Sequence, residues 1–176
     1  MMVTMIDVIS INGKITSGDE SHDTTWASSE DFRHFKKVVA DHRILIMGRK
    51  TYEAVLPKPQ PGTLRIVVTR TPGSYASLEA TGMLEFSDLS PSDLLAELRR
   101  SRHDYDVLLL GGGELNTAFL EAGLVDRILI TIEPVLFAGG TGLLAAGSAD
   151  IRCNLLSVTQ LNERGTLLVA YAVDKS

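Results

Sequence analysis

The chain has 176 residues, 44% of them hydrophobic and 22% charged, and its formal net charge is −5. That length suits a single domain spanning residues 1–176, and the apolar fraction excludes a disordered chain. A sequence pI near 5.3 argues against nucleic acid or an anionic membrane surface as a partner.

The average hides an asymmetry. Residues 33–70 carry nine basic side chains against only Asp41 and Glu53, a net of +7, which leaves −12 for the rest. A basic island in an acidic protein points to a small, multiply charged anion; solvated helix faces explain it as well. The single cysteine, Cys153, excludes a disulfide framework within one chain. His22, His34, His42 and His103 show no metal-ligand spacing, so no metal is expected, and all four are assigned to solvated faces. No basic leader precedes a long apolar run, and no apolar run approaches ~18 residues. The expectation is a cytoplasmic protein without a membrane span.

Val3–Ile11 reads as an apolar, β-branched strand that stops at the turn signal Asn12-Gly13. Residues 17–25 form a polar loop. Phe32, Phe35 and Val39 recur at i, i+3 and i+7, the buried face of a helix entered at Ser28, with Asp31 three residues on. Ile44–Met47 is a short buried strand ending at Gly48, and Lys50–Val55 a helix that stops before Pro57. Three prolines and a glycine make residues 57–62 a loop. Leu64–Thr69 and Met83–Phe86 read as strands. Pro91–Ser101 reads as a helix with Leu94, Leu95 and Leu98 on one face and Arg99, Arg100 and Arg102 on the polar side.

Val107–Leu110 is apolar throughout, as in a strand buried on both faces, and Gly111-Gly112-Gly113 follows it directly. Leu115, Ala118, Phe119 and Ala122 keep helical spacing up to a cap at Gly123. Ile128–Ile132 is a further strand. The tail forms a hairpin, Leu155–Leu161 and Thr166–Val173, turning over residues 162–165. Alternating strands and helices predict an α/β domain: a mostly parallel central sheet flanked by helices, with an antiparallel hairpin at one edge.

In such sheets ligands bind beyond the carboxyl ends of the strands. Three motifs lie there: Gly48-Arg49-Lys50-Thr51, Thr69-Arg70, and Gly111-Gly112-Gly113-Glu114. Glycine lets the backbone approach an anion, a helix start offers unpaired N–H groups, and arginine grips two phosphate oxygens at once. Each motif alone is equally a tight strand-to-helix turn. Together they favour a dinucleotide carrying a pyrophosphate and an extra phosphate. The triple glycine is neither a Rossmann fingerprint, since Asn116 stands where glycine is needed, nor a P-loop.

In order along the chain, these segments resemble the dihydrofolate reductase-like superfamily, and within it the C-terminal reductase domain of riboflavin biosynthesis proteins. Ser10-Ile-Asn-Gly-Lys14 resembles that domain's opening turn, and Trp26-Ala-Ser-Ser-Glu-Asp-Phe32 its helix start. Ile46-Met-Gly-Arg-Lys-Thr-Tyr-Glu53 is close to a dihydrofolate reductase stretch. The riboflavin-type ending is carried by Gly111-Gly-Gly113, Ala122-Gly-Leu-Val-Asp-Arg127 and Glu133-Pro-Val-Leu-Phe-Ala-Gly-Gly140.

The resemblance implies an NADPH-dependent reductase that is a homodimer and acts on a pyrimidine or pterin. It implies that Gly48, Arg49, Lys50 and Thr51, with Gly111, Gly112, Gly113, Glu114 and Leu115, hold the pyrophosphate. Thr69 and Arg70 meet the 2′-phosphate, Val8 approaches the nicotinamide through its backbone, and Trp26 flanks that pocket. Asp31 stands where dihydrofolate reductases carry their pterin-binding carboxylate, the candidate catalytic and substrate-binding acid. It is equally placed to stabilise the first turn of a helix, and Glu30 takes either role if the register shifts by one. Ser10, Asn12 and Thr24 are further substrate contacts; Asn12 stands where aspartate is usual.

Two departures bear on substrate. Val39 replaces an arginine usual in phosphoribosyl-uracil reductases, and residues 56–62 lack their D-x-P-x-L stretch. Riboflavin-pathway pyrimidine reduction leads, dihydrofolate reduction follows, and a non-catalytic cofactor-binding relative is the reading of another class.

Overall fold

The computed structural model describes residues 1–18, 24–102, 105–147 and 149–175. His22, His103 and part of the 17–25 loop lie outside the described residues. Among the described residues eight strands form one sheet: β1 (Val3–Ser10), β2 (Ile44–Gly48), β3 (Leu64–Val68), β4 (Leu84–Ser87), β5 (Val107–Leu109), β6 (Arg127–Glu133), β7 (Cys153–Gln160) and β8 (Leu167–Val173). The helices that connect them are α1 (Ser29–Ala40), α2 (Arg49–Val55), α3 (Pro91–Arg102) and α4 (Gly113–Glu121). A 3-10 helix at Pro72–Leu78, absent from the sequence reading, leads into β4.

The sheet order is β4-β3-β2-β5-β1-β6-β8-β7. The first six strands run parallel, and β8 and β7 close the sheet as an antiparallel hairpin. From β2 the chain moves outward to β3; from β5 it moves the opposite way, across β1 to β6. The carboxyl ends of β2 and β5 therefore flank a topological switch point, where a crevice opens because the two connections part.

Side-chain periodicity decides what covers each face. Val3, Met5, Ile44, Ile46, Val107 and Leu109 point to one side and pack with Leu95 of α3 and Phe119 of α4. Ile6, Leu45, Leu108 and Leu129 point to the other and pack under Phe35, Val38 and Val39 of α1. All three residues of β5 are fully buried, as the unbroken apolar run requires. Each such side chain contributes ~1.5–3 kcal/mol of burial.

One expectation for α1 needs correction. Phe32 is 53% exposed and sits beneath the Lys36 ammonium, which lies 4.3 Å from its ring centroid. Asp31 takes the inward position instead, only 9% exposed. At 100° per residue, Asp31, Phe35, Val38 and Val39 make a continuous stripe, and Phe32 falls one step outside it.

No helix among the described residues is long and apolar enough to cross a membrane. The edge strand β7 is exposed at all eight positions, including Leu155, Leu156 and Val158.

Candidate active site

At the switch point two helices begin on glycine. The N-cap of α2 is Gly48 and that of α4 is Gly112, and neither helix start receives a side-chain cap. The two turns are tied together, since the Gly48 N–H donates to the Gly111 carbonyl at 2.8 Å. A Cβ on Gly112 would stand 3.7 Å from both Thr51 Oγ1 and Ile15 Cδ1, so Thr51 of α2 faces the start of α4. The first-turn N–H groups of α4 open toward this gap with no intrahelical partner, a ready seat for an anion.

The three glycines have different causes. Gly111 lies at φ +73°, a conformation L side chains rarely adopt. A Cβ on Gly113 would come within 2.7 Å of the Gly142 carbonyl oxygen, so that residue is glycine because the backbone of residues 142–144 packs against it. Only Gly112 is glycine at the crevice itself. Gly113→Ala is expected to cost about 1–3 kcal/mol of stability through overpacking, read from the urea midpoint. An unchanged midpoint would show that residues 142–144 give way freely.

The basic side chains surround this gap unevenly. Arg49 is exposed and paired with Glu53 one turn on, at 2.6 Å, and Glu53 also accepts from the Tyr75 hydroxyl at 2.6 Å. Lys50 and Arg70 are exposed. Thr69 is buried, its hydroxyl accepting from the Thr71 N–H at 3.3 Å, and it shapes the end of β3 that presents Arg70. Glu114 is exposed on the first turn of α4, while Leu115 is buried in the core and offers the crevice only its backbone.

A second cluster lies on the α1 side of the sheet. The Ser28 hydroxyl caps α1 by accepting from the Asp31 N–H at 3.2 Å, which releases the Asp31 carboxyl from capping. That carboxyl meets the Thr131 hydroxyl of β6 instead. Burial pushes its pKa above the ordinary aspartate value; the Thr131 hydrogen bond opposes this, the Glu133 charge adds to it, and His34 opposes it. Glu30 points elsewhere, paired with Arg33 at 2.6 Å and accepting from Asn162 at 3.3 Å, so the inward acid is Asp31.

Glu133, absent from the sequence-based candidates, is 4% exposed. Its two carboxylate oxygens accept from the Ser28 N–H and the Thr166 hydroxyl, both at 2.7 Å. The available signal was an acid closing the apolar strand 128–132. His34 also departs from expectation. It is half-buried, its Nε2 has no hydrogen-bond partner among the described residues, and burial lowers its pKa against the pull of Asp31. His42 is likewise half-buried, its Nδ1 2.7 Å from the Val38 carbonyl oxygen.

The remaining candidates line the β1 end. Val8 is half-buried on β1, in register with Thr131. Trp26 is half-buried, edge-on to Phe137 at 5.0 Å, with its Nε1 buried and without a partner among the described residues. Ser10 is fully buried and its hydroxyl donates to Asn12 Oδ1 at 2.8 Å. Asn12 also donates to the Phe137 carbonyl at 2.8 Å and accepts from the Phe137 N–H at 3.1 Å. Both ends of its amide thus hold the wall on which Trp26 rests. Thr24 is exposed.

The model of the RibD C-terminal domain family matches residues 2–167. A dihydrofolate reductase type 9 from Escherichia coli is 40% identical over 130 residues, covering 74% of this chain and 70% of that one. A riboflavin biosynthesis protein RibD from Mycobacterium tuberculosis is 29% identical over 153 residues, covering 78% of this chain and 43% of that protein, so the chain spans less than half of it. In structure, a pyrimidine reductase-like protein from Corynebacterium diphtheriae superposes with a TM-score of 0.77 at 15% identity, over 98% of this chain and 92% of the other. The fold and these matches place the molecule among the oxidoreductases of dihydrofolate reductase-like architecture. Within that class, the chain belongs to the RibD C-terminal domain family.

Proposed function

We propose that the protein is an NADPH-dependent reductase that delivers hydride to a pyrimidine- or pterin-type substrate. One observation carries this reading: the joined glycine turns of α2 and α4 at the switch point, with a buried carboxyl, Asp31, on the α1 side of the same sheet. The donor set suits a dinucleotide. Gly48, Gly112 and Thr51 with the first turn of α4 bind the pyrophosphate, Arg49 and Lys50 neutralise it, and Arg70 takes the 2′-phosphate. When bound, the nicotinamide supplies the hydride. The chain's own part is to orient the ring against Val8 and Trp26 and to hold a proton at the Asp31 carboxyl for the substrate nitrogen that needs it.

The substrate ranking follows the residues. The match over the RibD C-terminal domain favours the phosphoribosylaminouracil class. The buried Asp31–Thr131 contact suits an amidine-edged heterocycle, and so favours a dihydrofolate-type substrate as the second reading. NADPH oxidation assayed with 5-amino-6-(5-phosphoribosylamino)uracil and with dihydrofolate side by side separates them. Tight NADPH binding with turnover of neither would replace both by a cofactor-binding role.

The same reading includes a homodimer built on β7. A strand exposed at every position, with three large apolar side chains each more than 50% exposed, leaves its outer backbone edge open to pairing. Antiparallel pairing of β7 with β7 of a second copy covers both. The wild type is expected to sediment as a dimer and Leu156→Lys/Val158→Lys as a monomer. Equal sedimentation of the two would rule out this edge.

A further inference from the structure

Strand β1 carries one charged residue, Asp7, in an otherwise apolar run, and no role proposed above uses it. It pairs in register with Ile130 of β6 and points to the α4 side of the sheet. There its Oδ2 accepts from Asn116 Nδ2 at 2.8 Å. Its Oδ1 lies against the glycine turn, 3.0 Å from where a Cβ on Gly111 would stand. Asn116 is fully buried in the first turns of α4, and its Nδ2 also donates to the Leu143 carbonyl at 3.2 Å. Both amide protons are therefore spent. Reversing the amide would set its oxygen against two acceptors, so this orientation is fixed. What remains is Asn116 Oδ1, buried with no partner among the described residues.

A buried amide oxygen without a donor costs ~1–3 kcal/mol. The donor at hand is a proton on Asp7. Asp7 Oδ1, Asn116 Nδ2 and Asn116 Oδ1 all lie within 3.7 Å of the same point beside Gly111. A neutral carboxyl can meet an amide through both its oxygens, accepting from the N–H and donating its O–H to the carbonyl. An ionised one accepts only, which leaves Asn116 Oδ1 unpaired and sets a negative charge beneath the turn. Burial pushes the Asp7 carboxyl up to about 7, with the Asn116 hydrogen bond opposing. No charged side chain among the described residues contributes to that shift: β6 offers Ile130, α4 offers Asn116, and Glu114 of the same helix turn is exposed.

We propose that Asp7 and Asn116 form a proton-dependent support beneath the Gly111–Gly113 turn, so that the turn's affinity for the dinucleotide falls when Asp7 loses its proton. This rests on the assignment of that turn to the dinucleotide. Asp7 touches neither cofactor nor substrate; it is a positioning residue acting through the turn.

The test is the dissociation constant of NADH and of NADPH between pH 5.5 and 8.5, for the wild type and for Asp7→Asn. NADH is included because it lacks the 2′-phosphate, whose own titration near pH 6 overlaps the range. Asparagine reproduces the protonated pairing, donating to Asn116 Oδ1 and accepting from Nδ2. The wild-type Kd for NADH is expected to rise about tenfold across the range, and that of Asp7→Asn to stay flat at the acidic wild-type value. Parallel curves, or a flat wild type, would overturn the support while leaving the cofactor assignment intact. Binding of neither dinucleotide at any pH would overturn both. The ligand-free melting temperature gives a second readout. Asp7→Asn should melt higher than wild type by a margin that grows as pH rises from 5 to 7.5, because the unfolded carboxyl, with a value of about 3.8, is already ionised at pH 5; the same offset at both would reduce Asp7 to packing alone.

Discussion

Asp31→Asn is expected to lower turnover by roughly 10²- to 10³-fold while NADPH binding persists. The substitution keeps the shape of the side chain and its reach to Thr131 but removes the acidic proton. Helix α1 does not need that carboxyl for its start, because Ser28 supplies the cap. Asp31 is 9% exposed, and burial with the nearby Glu133 charge raises its pKa. A raised value keeps the acid loaded at higher pH than an ordinary aspartate, so turnover that needs this proton falls as pH rises through it. The sign for stability follows from linkage. The folded protein holds the proton more tightly than the unfolded chain, whose value is about 3.8, so stability is lost as pH rises from there to the raised value. At pH 7.5 the variant should therefore unfold at higher urea than the wild type while working far more slowly. Full turnover with unchanged stability would leave Asp31 without a chemical role.

Arg49→Ala combined with Arg70→Ala is expected to weaken NADPH about 100-fold or more and NADH about 10-fold, the share of Arg49 at the pyrophosphate that both cofactors carry. A charge-assisted hydrogen bond to phosphate contributes ~1.5–3 kcal/mol, a factor of about 10–100 each. The Arg49–Glu53 pair does not prevent this. Both partners are 42% exposed, and an exposed pair contributes ~0–1 kcal/mol, so Arg49 exchanges it readily for a phosphate. Arg70, at the end of β3, is expected to carry the discrimination. Equal losses for the two cofactors, measured by fluorescence titration, would remove the 2′-phosphate from its vicinity.

Where local pattern decides structure, the sequence could be read closely. The strand 44–48, the apolar run 107–109 and the helix after the triple glycine each lie within a residue or two of expectation. Short-range sterics and burial on both faces set them. The misreadings share a different cause. Phe32 counts as core by spacing alone, but the helix is rotated so that Asp31 points inward. Asp7 is hidden within a strand whose pattern is apolar, and its meaning depends on Asn116, 109 residues away. Glu133 gains a role only because Ser28 and Thr166 converge on it from distant segments. The three glycines read as one phosphate motif, whereas Gly113 answers to the backbone of residues 142–144. Contacts made across long sequence separations leave no periodicity to read.

The place of β1 in the sheet also governs how the chain is made. Its two neighbours are β5 and β6, so Val3 meets Val107 and Thr4 meets Arg127. On the ribosome, at about 5–20 residues per second, this apolar strand waits ~5–20 s before its first neighbour, β5, has been synthesised. Strands β2, β3 and β4 follow one another in sequence and in space, so they can assemble during that interval. Strand β1, with Asp7 and Val8, can be paired on both sides only after β5 and β6 have been made. Nascent chains that have not reached β6 thus hold the apolar strand β1 without one of its two neighbours. A competent crevice therefore arrives together with the completed sheet.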